Sequence, residues 1–422
     1  MKGIAVSLLL LLGILQPLHA DHLFTDSSAL ARLLEKQGFT SVHATNSFDN
    51  KLTISYENRA FRNEVLAAGV VLAAVNQFVS DSCCVVLIPH RNGVAMGSVA
   101  TDISTYRSFI TGQIEQSIFV KNLDFDDKGD LAALADGTLK RKRNFPLADL
   151  LINPSITLQL GNYDDAVKAT LGLAPELNVD VWRGATLAAR VLFPMYDELG
   201  IYTLDPRLLR LSLFQAFRLS SDDLFFAQIG VFEPDRWGIA GEWAHFLYGR
   251  RFLLGCKGQY TGFFLHQEGT INYSPWRTGT GQVYANYFAP RYDLTVRLAY
   301  TKYLFSENGP SIQVSRKFAD LEIGLLAAKT NIDEFGGIVL KVPLSPQKSG
   351  NPQKLRMRLP EYHTWKYEST SLAHTQGQTV QTGVTVTSAM EALDWLHFFV
   401  PTYIKNNIAL WKTARQYLEM KN

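Results

Sequence analysis

Cysteine is scarce, with three in 422 residues: Cys83, Cys84 and Cys256. An exported protein stapled by disulfides carries more. Cys83 and Cys84 are neighbours, which on a strand point to opposite faces, so all three read as packed thiols. Charge of one sign is scarce too. Lys and Arg number 41 against 39 Asp and Glu, a formal net charge of +2. That excludes the broad positive field of a nucleic-acid-binding chain. Beyond residue 20 no apolar run reaches the roughly 18 residues of a membrane-spanning helix. The nearest, Val65–Val79, is broken by Asn76 and Gln77 and reads as a core helix.

Catalytic and metal-binding patterns are missing as well. The nine His residues show no H-E-x-x-H or other compact ligand spacing. No G-x-S-x-G segment or phosphate-cradling loop occurs. Asp124–Asp130 has the acid density of a calcium loop. However, Lys128 holds the fifth position and Ala135 the place of the bidentate Glu, so a solvated acidic loop is expected. Lys140–Arg143 reads as a basic turn on an exported protein, with contact to an acidic glycan the lesser reading. No enzyme activity, cofactor or metal is expected, and no catalytic residue is assigned.

What is present begins with a secretory signal over residues 1–20. Lys2 supplies the positive start, Ile4–Leu15 the apolar core and Ala20 a plausible last residue before cleavage. No Cys lies at the junction to carry a lipid. Residues 21–112 read as a small α/β domain in the order helix, strand, strand, helix, strand, strand, helix. Asp26 and Ser27 cap the first helix and Gly38 ends it. Residues 113–152 are charged and irregular and read as a linker.

From Ser155 onward nearly every segment alternates apolar and polar, the period of a strand with two unlike faces. In Tyr292–Tyr303 one face carries Tyr292, Leu294, Val296, Leu298 and Tyr300, and the other Asp293, Thr295, Arg297 and Thr301. Tyr at both ends of an aliphatic stripe is the pattern of a strand meeting two membrane interfaces. About thirteen such runs occur, mostly roughly 8–12 residues long, near the length of a tilted transmembrane strand. Arg190, Arg210, Arg218, Glu242, Lys257, Gln259, Asp293 and Arg297 fall on the polar face and are the lumen candidates. A salt-bridge network among them is the favoured reading over a substrate track. Trp237, Trp243, Tyr260, Tyr292 and Tyr300 are the interface candidates. The expected fold is mainly β: an antiparallel transmembrane barrel over 153–387, or a large part of one. An α/β domain precedes it and a helical tail over 388–422 follows, the tail opening on the capping-box pattern Ser388–Glu391.

Several segments resemble a known family in their order along the chain. They are EVLAAGVVLAAV and STYRSFITG in the α/β region, and the stretch LSLFQAFRLSSDDLFFAQIGVFEPDRWGIAGEWAHFLYGRRFLLGCKGQY over 211–260. YDLTVRLAYTKYLFSENGPSIQVSRKFADLEIGLLAAKTN and FGGIVLKVPL follow, within 292–344. Together they cover half to two-thirds of the chain and are similar to the YjbH-type exopolysaccharide proteins. The resemblance implies an outer-membrane barrel of a Gram-negative bacterium with a periplasmic α/β module, acting late in export of surface or biofilm polysaccharide. Membrane lipid, the polymer and periplasmic export components are its implied partners. A porin or adhesive barrel is the first alternative, and a periplasmic glycan-processing enzyme the second. The family commonly carries further strands before the α/β module. That pattern and the odd strand count lead to an expectation that a second chain or copy completes the barrel.

Overall fold

A computed structural model describes residues 27–47, 50–80, 83–125, 147–160, 167–200, 204–267, 269–350, 354–370 and 400–419. The signal sequence, most of the Asp124–Asp130 loop, Lys140–Arg143, the strand expected near Thr379–Thr387 and the helix expected over 388–399 lie outside the described residues.

The α/β module comprises α1 (Ser27–Lys36), β1 (Phe39–Ser47), β2 (Lys51–Asn58), α2 (Glu64–Val75), β3 (Cys84–Arg91), β4 (Val94–Ala95), β5 (Val99–Asp102), α3 (Ile103–Ile110) and α4 (Gln116–Lys121). Its sheet runs β1-β2-β3-β4, with β5 also on β3. Asn63 starts α2 by accepting the amides of Val65 (2.9 Å) and Leu66 (3.3 Å). Every residue from Val65 to Val75 is buried, as an all-apolar helix requires.

The tail supplies part of that cover. Helices α5 (Pro401–Asn407) and α6 (Leu410–Glu419) follow, and α6 packs on α2. A Cβ on Gly69 would stand 2.7 Å from Trp411 Cδ1, so only glycine admits the indole there. Trp411 Nε1–H donates to the Val65 carbonyl at 2.8 Å, which satisfies its one polar atom.

Between module and tail lies one large sheet. Its strands are β6 (Leu147–Leu160), β7 (Val167–Trp182), β8 (Ala185–Asp197), β9 (Arg207–Arg218), β10 (Asp223–Phe232), β11 (Arg236–Leu247), β12 (Phe252–Gln267), β13 (Thr270–Tyr273), β14 (Thr278–Phe288) and β15 (Leu294–Lys302). They continue with β16 (Asn308–Phe318), β17 (Leu321–Lys329), β18 (Glu334–Pro343), β19 (Leu355–Arg358) and β20 (Tyr362–Thr370). Thirteen of the fifteen described strands run 9–16 residues, and consecutive long strands pair antiparallel. The exception is at the margin. Residues 355–370 pair through β19 in parallel with β6, the first long strand, and through β20 antiparallel with β18, the last but one. A single segment, interrupted only by Leu359–Glu361, therefore touches both margins of the sheet.

The links Arg183–Gly184, Leu219–Asp222, Tyr248–Arg251, Ala289–Asp293 and Ala319–Asp320 share one end of the sheet, and the module and tail sit inside that end. The amide of Gly184 donates to the Asn92 carbonyl at 2.8 Å. Gly184 has a φ of +77°, and a Cβ there would stand 2.4 Å from the Ala216 carbonyl oxygen, so the turn needs glycine twice over. Asn92 Nδ2 donates to Thr186 Oγ1 at 2.8 Å, and Arg218 Nη1 to the Ala95 carbonyl at 2.9 Å. Phe214, Phe226, Phe246, Leu253 and Tyr284 on the sheet's inner face belong to the same buried cluster as the core of the module.

The expected linker is corrected in two places: α4 lies within it, and β6 begins at Leu147. The alternation was hidden there because Leu147 and Leu151 are apolar on the inner face that Asp149 shares. Nor is the α/β region a body apart from the strands, since it shares their core.

Trp411→Ala should cost about 3–5 kcal/mol, the usual effect of deleting a buried indole. Urea unfolding in detergent reads this, together with faster tryptic cleavage in α6. Wild-type stability and cleavage rate would show that the tail does not brace the module.

Candidate functional site: the inner face of the sheet

Strand phase decides which side chains face inward. Along β9, Arg210, Ser212, Phe214 and Ala216 are buried while Leu211 and Phe217 are exposed. The same alternation places all eight lumen candidates inside, but not in one site.

Arg190 and Arg210 stand together. Arg190 pairs with Glu176 (2.9 Å) and Glu233 (3.1 Å), and Arg210 with the same two carboxylates at 3.5 and 3.2 Å. Arg218 donates to the Ala95 carbonyl of the module hairpin and to the Ser220 carbonyl of its own β9–β10 link. Glu242 is buried, opposite Lys257 on the next strand, and accepts the Tyr284 hydroxyl at 2.5 Å. Gln259 accepts from Thr280 Oγ1 at 2.8 Å. Asp293 accepts from Asn406 (2.6 Å) and Asn407 (3.1 Å) of α5. Arg297 donates to Gln282 Oε1 at 2.7 Å and lies 4.5 Å from the centre of the Tyr284 ring.

Two cavities open inside the sheet. The larger, about 520 Å³, lies between the module and strands β6–β9, β19 and β20. Asp149 is its hub: it takes Arg59 at 2.9 Å, Arg356 at 2.7 Å and Arg358 at 3.2 Å. Arg59 also reaches Asp180 at 3.3 Å. Charges removed from water need such compensation. The smaller cavity, about 380 Å³, lies under β12–β18 and β20 and is capped by Val400, Thr402 and Tyr403. Lys257, Asp293 and Arg297 line it, together with Lys317, Lys341 and Lys366.

The hub residues Arg59, Asp149, Arg356 and Arg358 were missed from sequence. Asp149 stood in the supposed linker, and the three arginines lay outside the clearest strands. The x-Arg-x-Arg alternation at 356–358 was the available signal. Among the described residues no cluster of His, Cys, Asp and Glu is grouped to hold a metal.

The interface candidates face outward. Trp243, Tyr260, Tyr292 and Tyr300 are exposed, and Trp237 is half-buried against Trp276, with ring centres 5.3 Å apart. Trp243 lies level with Phe225 and Phe217 across β9–β11.

No family model matches the chain, and no curated protein does. Among solved structures it is similar to OmpT (in-vitro folded), an outer membrane protein of Vibrio cholerae, at 12% identity and a TM-score of 0.28. That match covers 54% of this chain and 88% of the other. The trimer form of the same protein gives 11% identity and a TM-score of 0.30, covering 57% of this chain and 96% of that one. Likeness this slight leaves fold and function to be argued from the residues.

Glu64 lines the larger cavity from the module side. Burial, reinforced by Glu361 and Glu57, raises its carboxyl from 4.5 to about 8, and Asn58 and Arg91 offset this in part. Below 4.5 the group is neutral in both folded and unfolded chain. As pH rises toward 8 only the unfolded chain ionises it, so native stability falls through that window. Glu64→Gln should therefore melt progressively higher than wild type as pH rises, with the full gain above pH 8. Melting in detergent at acid and alkaline pH measures it. Parallel pH profiles for the two proteins would contradict the assignment.

Proposed function

We propose that the chain is an outer-membrane β-barrel whose interior is occupied from one end by its own α/β module, and that it takes part in exporting a surface polysaccharide. The observation that carries the barrel reading is the outer face of the sheet. Leu211, Phe225, Ile229, Ile239, Leu254, Val283, Leu298, Ile312, Leu325 and Ile338, from nine successive strands but one side of the sheet, are all exposed. An apolar band of this extent on water would be an aggregation surface; against hydrocarbon it is required. Exposed aromatics gather toward both strand ends. Trp182, Phe217, Tyr287, Tyr292 and Phe318 lie toward the module, and Phe193, Tyr196, Tyr260, Tyr300 and Phe305 toward the opposite end. That is the two-girdle arrangement of membrane barrels.

Closure within one chain is favoured by the strand order. With thirteen long strands in antiparallel succession, first and last point the same way, so an odd barrel closes only through a parallel seam. Pairing of 355–358 with β6 is parallel. The expectation of a second chain or copy rested on parity and, more strongly, on the further strands that the resemblance implies; a parallel seam answers the parity ground alone. The module lies at the end that carries the two-residue links Arg183–Gly184 and Ala319–Asp320, and a periplasmic position for it is part of the proposal.

The export role rests on the resemblance to the YjbH-type proteins, and the polar inner face with its two cavities is compatible with a hydrophilic polymer. An open porin is the weaker reading, because module and tail fill one end of the interior. No catalytic role is proposed: Glu176 and Glu233, the carboxylates bridged by Arg190 and Arg210, are held in ion pairs.

Two substitutions at neighbouring registers test the barrel. Leu298→Arg places charge on the outer face and should cost roughly 2–4 kcal/mol of assembly in lipid. Gln313→Arg, on the inner face of the adjoining strand, should assemble as wild type with heat-modifiable migration. Equal assembly of both would refute the membrane face. For export, cells lacking the chain should retain polymer in the periplasm and lose it from the surface. Unchanged surface polymer would remove the export role while leaving the barrel.

A further inference from the structure

The smaller cavity differs from the larger one in its ratio of cations to carboxylates. Five cationic side chains converge on it: Lys257, Arg297, Lys317, Lys341 and Lys366. They come from five different strands, β12, β15, β16, β18 and β20, so the topology rather than a local sequence run assembles them. Only two carboxylates, Asp293 and Glu322, line the same space. Asp293 accepts both amides of Asn406 and Asn407, and Lys366 pairs at 2.5 Å with Glu368 just beyond the lining. The excess is local, because the whole chain carries only +2.

Between the cations the wall is uncharged and polar. Gln282, Thr295, Ser311, Gln313 and Ser315 alternate with them on the inner face, offering amide and hydroxyl groups that donate and accept. The volume of about 380 Å³ falls in the roughly 300–1,000 Å³ range of pockets that hold small organic ligands. Cations spaced along a concave polar wall raise the local concentration of anions. The larger cavity has a higher share of carboxylates, six against eight cations, and Asp149, Asp180 and Glu176 hold Arg59, Arg356, Arg358, Arg190 and Arg210 in ion pairs.

We infer that this cavity is a binding site for an acidic glycan, with carboxylates of uronate-type sugars on the lysine and arginine heads and ring hydroxyls on the amides and hydroxyls between them. The inference rests on the reading of this face as the barrel interior and supplies the charge class of the polymer. A site for a single small anion would need a few donors converging on one point. Here the cations are spread over five strands with neutral groups between them, which suits a chain of repeating charges.

The test uses the full chain folded in detergent, with hexagalacturonate as probe and maltohexaose, of equal length and no charge, as control. Hexagalacturonate should bind, maltohexaose should not, and binding should weaken with salt. Lys317→Gln with Lys341→Gln should weaken binding about tenfold, as loss of charge-assisted hydrogen bonds does. Replacing the same two residues by Arg should keep it. Inorganic phosphate at matched ionic strength should displace none of the bound hexamer. Equal binding of the two hexamers, unaltered binding by the double Gln variant, or displacement by phosphate would each overturn the inference. Heat-modifiable migration of the same preparations scores the barrel reading separately, so either can fail alone.

Discussion

The inner face of a sheet of thirteen long strands is wider than its own side chains can cover, and the rest of the structure depends on what lies against it. Eight-stranded barrels pack their interior with side chains, while larger ones leave a lumen that is open or plugged. Here the α/β module and the C-terminal helices lie against the end of the sheet that carries the Arg183–Gly184 link. Two unlike surfaces hold them. Toward β9–β14 the contact is apolar, with Phe214, Phe226, Phe246 and Leu253 continuing the core of the module. Toward β6, β7 and β19 it is ionic, centred on Asp149 with Arg59, Arg356 and Arg358. Apolar burial favours the seated state without direction, whereas the bidentate-capable arginines fix how the module is turned.

The same division explains the two cavities. Where module and sheet share a core, the interior is closed. Where polar and charged faces meet, packing is looser and space remains. In the larger space arginines and carboxylates are joined through Asp149, Asp180 and Glu176, which suits a joint between two parts of one chain. In the smaller, cations exceed carboxylates in the lining, which suits something brought from outside.

The sequence was most legible where the two faces of a strand differ most. Tyr292, Leu298 and Tyr300 lie outward, and Arg297 and Thr301 inward, because a period of two leaves little freedom once one residue is placed. The strand phases around Arg210, Glu242 and Lys257 were readable for the same reason. β6 was not, since Leu147 and Leu151 put apolar groups on the inner face beside Asp149. Docking of the module was invisible because its contacts, Arg59 to Asp149 and Trp411 to Gly69, join residues far apart in the chain. The smaller cavity was half seen: Lys257, Asp293 and Arg297 were picked out, while Lys317, Lys341 and Lys366 join them only through sheet register. The expectation of about thirteen strands agrees with the thirteen long strands described, and parity alone says nothing about a parallel seam.

The central claim is that the module is seated on the inner face of the sheet at the end that carries the Arg183–Gly184 link. Cysteines at Asn92 and Thr186, whose side chains meet at 2.8 Å, test it directly in a chain with Cys83, Cys84 and Cys256 replaced. Mild oxidation of intact membranes should join the two peptides almost completely, as mass spectrometry of the digest would show. A control pair at Asn92 and Thr330, at the opposite end of the sheet, should stay apart. If the 92–186 pair stays unjoined while the protein is folded, the module is not seated in the sheet and the occupied interior is wrong.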